Sequence, residues 1–290
     1  MSEPLPALCL IAVPGRRRRT LELCQETEKR GYAGIYVPSP FGNMSMCEAL
    51  AWKTEKIPFA TSIAPIYQRT VVDFAQSAAM MHEVSGGRFS LGIGIAHGPS
   101  YVRMGVTPGK PLADTRAFIE KLRAQDAFGP LPPVIVAALR KRMVALSGEL
   151  AEGVIFANAS LSHMAESLAA LPVARRKDPG FFIGNMIPTC ISDDVEAAKA
   201  VNRRTLTNSR SCRTTGTTGR KRATSRKWRR SKRPSPKAAA TTCRNISPTN
   251  GSPTTRCSGQ RPKCARASPR GAPRACTRRS WCRPRRPAIN

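Results

Sequence analysis

The chain has 290 residues with 48 Lys and Arg against 18 Asp and Glu, a formal net charge of +30. The first 200 residues hold 22 bases and 18 acids, whereas the last 90 hold 26 bases and no acid, the final one being Glu196. This asymmetry excludes one uniformly basic domain, and the lack of any long apolar run excludes a membrane-spanning helix.

From the N-terminus, "ALCLIAV" is a short continuous apolar run, the mark of a strand buried on both faces. "RRTLELCQETEKRGY" follows with helical spacing at Leu21, Cys24 and Glu28 and ends at Gly31. "AGIYVPS" reads as a second buried strand. "NMSMCEALAWKT" reads as a helix with Ser45 as N-cap and Glu48 three residues on. "IPFATSIAPIY" is a third strand, and "TVVDFAQSAAMMHEVSGG" a third helix with Gly86 and Gly87 at its C-cap. "RFSLGIGIA" is the fourth strand and "HGPSYVRMGVTPGK" the loop after it.

The alternation continues. "PLADTRAFIEKLRAQ" is a helix opening at Pro111, "PPVIVAAL" a strand, "KRMVALSGELAEG" a helix and "GVIFANA" a strand. "SHMAESLAAL" is a helix with Ser162 and Glu166 near its start, and "GFFIGNMIPTC" the seventh strand. "SDDVEAAKAVNRR" is the last helix, with Asp193 and Asp194 in the first turn, where the helix dipole favours them.

Seven strand–helix units with buried strands imply a parallel sheet with right-handed crossovers. A doubly wound open sheet and a (β/α)8 barrel both meet that description. A full barrel takes about 250 residues, so seven units in about 200 fit a TIM-type barrel lacking its eighth unit. The expected organisation is a barrel domain over residues 1–207 and a low-complexity basic tail over 208–290.

Few residues carry an obvious chemical signature. "LGIGIAHG" offers Gly92, Gly94 and Gly98, a G-x-G-x-x-x-G that lacks dinucleotide-fingerprint spacing. Either the glycines relieve crowding inside a tight barrel strand, or they form a ligand loop. His82 sits inside a helical pattern and reads as structural. His97 lies just past the carboxyl end of the fourth strand, where α/β barrels place their active sites. "SDD" at 192–194 reads as a helix N-cap rather than a catalytic pair. Of the ten cysteines none falls in a C-x-x-C pair, which argues against zinc or a disulfide framework. "LPALCLIAV" is short and lacks the preceding basic run of a secretion signal, so a cytoplasmic protein is the expectation.

Three stretches carry a family resemblance. "AAMMHEVSGGRFSLGIGIAHGPSYVRMGV", "PPVIVAALRKRMVALSGELAEGVIFAN" and "FATSIAPIYQRT" closely resemble successive segments of the luciferase-like monooxygenases, over roughly residues 5 to 207. The spacing is most similar to the branch that uses the deazaflavin coenzyme F420, with FMN enzymes as neighbours. The resemblance implies a barrel that binds F420, or alternatively FMN, at the carboxyl ends of its strands. Hydride transfer to or from a small-molecule substrate would be its chemistry, and a homodimer its intact form.

In this family the third strand often carries a non-prolyl cis peptide against the ring, which maps to Ser62–Ile63 and is followed by Ala64. The usual Gly at the first position is Ser here. Gly94, Ala96 and Gly98 map to the exit of the fourth strand beside the cofactor. The phosphate-binding turn maps to Ala138, Leu139, Arg140 and Lys141 at a helix start, where backbone N–H groups and the dipole suit a phosphate. His97 is the candidate catalytic residue.

After the last helix the family resemblance calls for an eighth strand, and the chain instead turns to Arg, Pro, Ser, Thr, Ala, Gly and Cys. Beyond Val201 its only aliphatics larger than Ala are Leu206, Ile246 and Ile289. Such composition cannot offset chain entropy, so disorder is expected. It is also what a GC-rich gene gives in a wrong frame: one back-translation of "SRSCRTTGTTGRKRAT", shifted by two bases, reads ALLPNYRNYWKEAGY. A frame shift near Asn208 is therefore expected. The rival reading is a nucleic-acid-binding arm, which would grip phosphates without sequence specificity. It lacks interleaved aromatics for base stacking.

Overall fold

The computed structural model describes residues 5–211, with side chains to residue 207. The expected tail begins at 208, but α9 continues to Ser211, so its first four residues are helical; the rest of the expected disorder and arm, with the frame shift and eighth strand, falls on residues outside the described ones. The described elements run β1 (Leu8–Cys9), α1 (Arg17–Lys29), β2 (Ile35–Val37), α2 (Asn43–Lys53), β3 (Phe59–Thr61), β4 (Ala64–Pro65) and α3 (Val71–Val84). They continue through β5 (Phe89–Gly94), α4 (Gly98–Met104), α5 (Pro111–Arg123), β6 (Val134–Ala137), α6 (Lys141–Leu150) and β7 (Gly153–Ala157). The last are α7 (Leu161–Leu168), α8 (Val173–Lys177), β8 (Phe182–Met186) and α9 (Val195–Ser211).

Every strand pairing is parallel, in the order β1-β2-β3-β5-β6-β7-β8, with β4 also paired to β5. β3 and β4 are two pieces of one barrel strand, so seven strand positions form a nearly closed TIM-like barrel. β8 and β1 are not paired with each other. Side chains nevertheless reach across the gap: Cys9 Sγ of β1 lies 3.8 Å from Met186 Sδ of β8, and the rings of Tyr36 on β2 and Phe182 on β8 stack at 5.7 Å.

The strands sort their side chains by alternation. Ile35, Val37, Phe59, Phe89, Leu91, Ile93, Val134 and Val136 pack with helix residues such as Cys47, Leu50, Phe74, Ala78, Met81 and Ile119 in the main core. Val144, Val154, Phe156, Leu171 and Phe181 form a second cluster beside it. On the other parity large and small residues alternate: Tyr36 pairs with Ala60, Ile135 with Gly92, Phe182 with Gly153, and Ile155 with Gly184.

The register shows where the third strand breaks. Phe59 and Ala60 pair with Phe89 and Ser90, whereas Ala64 and Pro65 pair with Ile93 and Gly94. Three residues, 61–63, thus oppose two, Leu91 and Gly92. This is a bulge of one extra residue.

Some local expectations change. Ser45 is not the cap of α2: the N-cap lies three residues earlier, at Gly42, because Phe41 and Gly42 turn the chain with φ of 70° and 93°. The segment read as a loop after the fourth strand contains α4, whose Pro99 sits in the first turn where its missing N–H costs nothing. Thr70 caps α3 by accepting from Asp73 N at 3.2 Å. Asp193 and Asp194 precede α9 rather than lying within its first turn, and Asp194 Oδ1 accepts from Ala197 N at 3.0 Å. The SDD motif is therefore a cap.

The amino ends of the strands are tied by one acid and one base. Glu28 Oε1 accepts from the backbone N–H groups of Glu55, Lys56 and Ile57 at 2.7–2.9 Å. Arg88 donates to Thr54 Oγ1 and to the carbonyls of Ala51, Thr54 and Ile57, closing the C-terminus of α2. His82 fits its structural reading, half-buried with Nδ1 3.4 Å from Phe89 O. An open cleft of about 570 Å³ lies at this same end, lined by His82, Leu122, Arg123 and Glu152 among others. In α/β barrels this end serves stability, so the cleft is set apart from the chemistry. No helix among the described residues is long and apolar enough to cross a membrane.

Candidate active site

The carboxyl ends of the strands are built around the bulge. The peptide joining Ser62 to Ile63 is cis, at the position the family resemblance assigns. Ser62 is buried, and its N–H donates to Val37 O of β2 at 2.8 Å. Thr61 Oγ1 donates to Gly92 O at 2.7 Å, and Ala64 is fully buried on β4.

This approach explains the glycines of the next strand. A Cβ on Gly92 would stand 1.9 Å from Thr61 O, and one on Gly94 would stand 2.9 Å from Ala137 Cβ and 3.0 Å from Ile63. Gly92 and Gly94 therefore relieve crowding inside the strand, as one of the two readings held. Gly98 has nothing within 4 Å of its would-be Cβ; it opens α4 on the surface.

The exit of β5 is fastened by two tyrosines. Tyr101 of α4 donates to Ala96 O at 2.6 Å, and its ring meets Tyr67 edge-on at 5.8 Å. The Tyr67 hydroxyl donates to Asp114 of α5. Partial burial and the Asp114 carboxylate together hold the Tyr67 phenol well above its usual range, so it stays a donor. His97 is exposed at the N-cap of α4, its carbonyl accepting from Ser100 N at 2.8 Å, while its imidazole has no hydrogen bond among the described residues.

The turn between β6 and α6 divides its duties. Ala138 is buried and gives its N–H to Ile155 O at 3.0 Å, so that group belongs to the sheet. Leu139 is half-buried and follows it. Arg140 is the N-cap of α6, which has no side-chain cap and no acid in its first turn. Arg140, Lys141 and Arg142 are all exposed, and Lys141 Nζ pairs with Glu166 of α7 at 2.8 Å. Arg142, a residue not singled out from sequence, is thus a freer cation than Lys141. A helix start rich in bases was the available signal.

At the open side of the barrel, Cys9 Sγ lies 3.8 Å from Ser62 Oγ. Desolvation pushes this thiol up, outweighing the Ser62 contact, although the residue keeps exposed surface along the strand edge. A protonated thiol is a poor nucleophile. Among the described residues no group of His, Cys, Asp and Glu could hold a metal ion.

A parallel α/β barrel with a bulged third strand defines the class of fold. A luciferase-like monooxygenase family model matches residues 8–245, and the chain belongs to that family. It is 27% identical over 201 residues to a 5,10-methylenetetrahydromethanopterin reductase of Methanolobus tindarius, covering 60% of this chain and 61% of that protein. The chain thus spans about three fifths of that relative's length.

Among solved structures it resembles the coenzyme F420-dependent tetrahydromethanopterin reductase of Methanopyrus kandleri, with a TM-score of 0.57, 16% identity and 68% and 69% of the two chains covered. It also resembles an F420-dependent secondary alcohol dehydrogenase in complex with an F420–acetone adduct, with a TM-score of 0.58, 16% identity and 68% and 72% coverage. These likenesses establish the barrel fold.

Proposed function

We propose that the chain binds F420, with FMN as the alternative, and serves hydride transfer to or from a small organic substrate. The observation that carries this reading is the bulge at residues 61–63, beside the strand exits, in a chain of this family. F420-dependent enzymes among the proteins it resembles favour F420 over FMN.

The residues present suit such a group. Ser62, Ile63 and Ala64 would meet one face of the ring, with Gly94 and Ala96 at its edge and Gly98 beyond. The α6 N-terminus, Ala138 to Lys141 with Arg142, would meet the phosphate through backbone N–H groups and guanidinium charge. When bound, the deazaflavin supplies the hydride chemistry, and the protein positions it and excludes water. His97, exposed at the start of α4, is the candidate proton carrier. The Tyr67–Asp114 and Tyr101–Ala96 bonds hold the segment that presents it.

Equilibrium titration of the full-length protein with F420 and with FMN, read by cofactor fluorescence, tests the reading. One saturable F420 site is expected, weakened about tenfold by Arg140→Ala with Arg142→Ala, which is about 1.4 kcal/mol. Binding of FMN alone would reassign the cofactor, and binding of neither would overturn the proposal.

A further inference from the structure

We propose that the N-terminus of α2, together with Asn43 and the arginines that open α1, binds an oxyanion, the carboxylate or phosphate of the substrate. The inference rests on the cofactor reading above and names the substrate class for the same site.

Asn43 is the starting observation. It is 1% exposed, and its Oδ1 accepts from Met44 N at 3.0 Å. Among the described residues its Nδ2 is the one buried side-chain nitrogen or oxygen without a hydrogen-bond partner. An amide donor buried in this way calls for an acceptor, since a donor taken out of water and left unmet keeps its full desolvation cost.

Its surroundings set the charge of that acceptor. Asn43 is the first residue of α2, an eleven-residue helix whose cap, Gly42, has no side chain and whose first turn has no acid. The positive end of the helix dipole and its first N–H groups are thus left without a protein anion. Arg17 Nη2 donates to Phe41 O at 3.4 Å, which brings the start of α1 to the same turn. Arg16, Arg17, Arg18 and Arg19 are exposed, make no ion pair among the described residues, and crowd the positive end of α1, whose first turn also lacks an acid. Four like charges at a positive helix end repel one another, and an anionic ligand relieves both effects.

The location fits substrate rather than cofactor phosphate. The turn follows β2, whose Val37 carbonyl accepts from Ser62 N at 2.8 Å, so the donors and the bulge lie at the carboxyl ends of neighbouring strands. The cofactor phosphate turn is three strands away, at the exit of β6. An amide, helix N–H groups and a guanidinium together form a donor set for a carboxylate or phosphate; a neutral or cationic substrate leaves it unmatched.

The test is calorimetric titration of the full-length protein with malonate and with inorganic phosphate, at fixed ionic strength, in the absence and presence of saturating F420. The basic residues after position 200 give a weak background common to all variants. One saturable anion site is expected, weakened at least about tenfold in Arg17→Ala and in Asn43→Leu, and unaffected by F420. Arg17 is exposed, so its variant folds even if Asn43→Leu does not. Equal affinity in the wild type and Arg17→Ala would overturn the proposal. So would one-for-one displacement of the probe by F420, which would give the site to the cofactor. Failure of F420 to bind at all would sink the cofactor reading alone, because the anion titration of the cofactor-free protein stands without it.

Discussion

The two sides of the barrel obey different rules. From β2 to β7 the helix-facing strand residues are sealed: Ile35, Val37, Leu91, Ile93, Val136, Val154 and Phe156 are all at 0% exposure. On β8 every strand residue keeps some exposed surface, and Ile183 remains 41% exposed. Beyond it Ile187, Ile191 and Val195 are exposed, Ile191 at 96%. Similar apolar residues occur on both sides, so composition does not separate them. Burial follows from having a strand on each edge and a helix on the outer face. β8 has β7 on one edge and no pairing with β1 on the other. Contacts through the lumen, Cys9 to Met186 and Tyr36 to Phe182, are what join the open edges.

Substitutions should separate the sides sharply. Phe156→Ala, in the sealed wall, is expected to cost about 4 kcal/mol, seen as a lower urea midpoint with an unchanged slope. Gly92→Ala forces a methyl against the Thr61 carbonyl and should cost about 3 kcal/mol by the same measurement. If it also abolishes F420 binding while a Phe156 variant of equal stability does not, the bulge and not general stability governs the site.

Glu28→Gln probes the tie at the amino ends. Desolvation alone would raise the Glu28 carboxyl, but the N–H groups of Ile57, Lys56 and Glu55, with Arg88, together bring it below the usual range. A depressed carboxyl stabilises the fold above its unfolded value, about 4.3, and loses that contribution as pH falls through the folded one. The wild type should thus be more stable than Glu28→Gln at pH 7, and the gap should close in acid. A gap constant from pH 7 to pH 3 would show that the N–H contacts act without the charge. The smallest effect is expected for Ile183→Ala on β8, below about 1 kcal/mol. A cost like that of Phe156 would mean that β8 is sealed in solution.

The same contrast shows what was legible in the sequence. The unbroken apolar runs of "GIYV", "VIVA" and "GVIF" mark strands covered on both faces, and those are the sealed ones. Periodicity placed α1, α3, α5 and α6 because each has one apolar stripe against the sheet. The start of α2 was misplaced because Phe41 and Gly42 make its cap from backbone geometry, which a search for a Ser side chain cannot detect. α4 was missed because it is only seven residues long and none of them is buried.

The site divides the same way. Ser62–Ile63 was found through family resemblance, since nothing in the local composition announces a cis bond. Asn43 was missed because an Asn near a helix start reads as an ordinary capping residue. Only the three-dimensional surroundings show that its amide nitrogen is sealed from water.

The extra residue in the third strand has a consequence for how this stretch can change. Because 61–63 oppose only two residues, Phe59 and Ala64 face the same side although five positions separate them. Deleting any one of the three would give a seamless ladder. It would leave Ala64 opposite Ile93 and facing the same side as Phe59, but it would remove the extra residue that bends the strand at its carboxyl end. Substitutions in this stretch act one side chain at a time, whereas a change in its length removes the bend itself. Its residue count should therefore be more constrained than its residue identities, and Ser62 can stand where a Gly is usual as long as the number stays three.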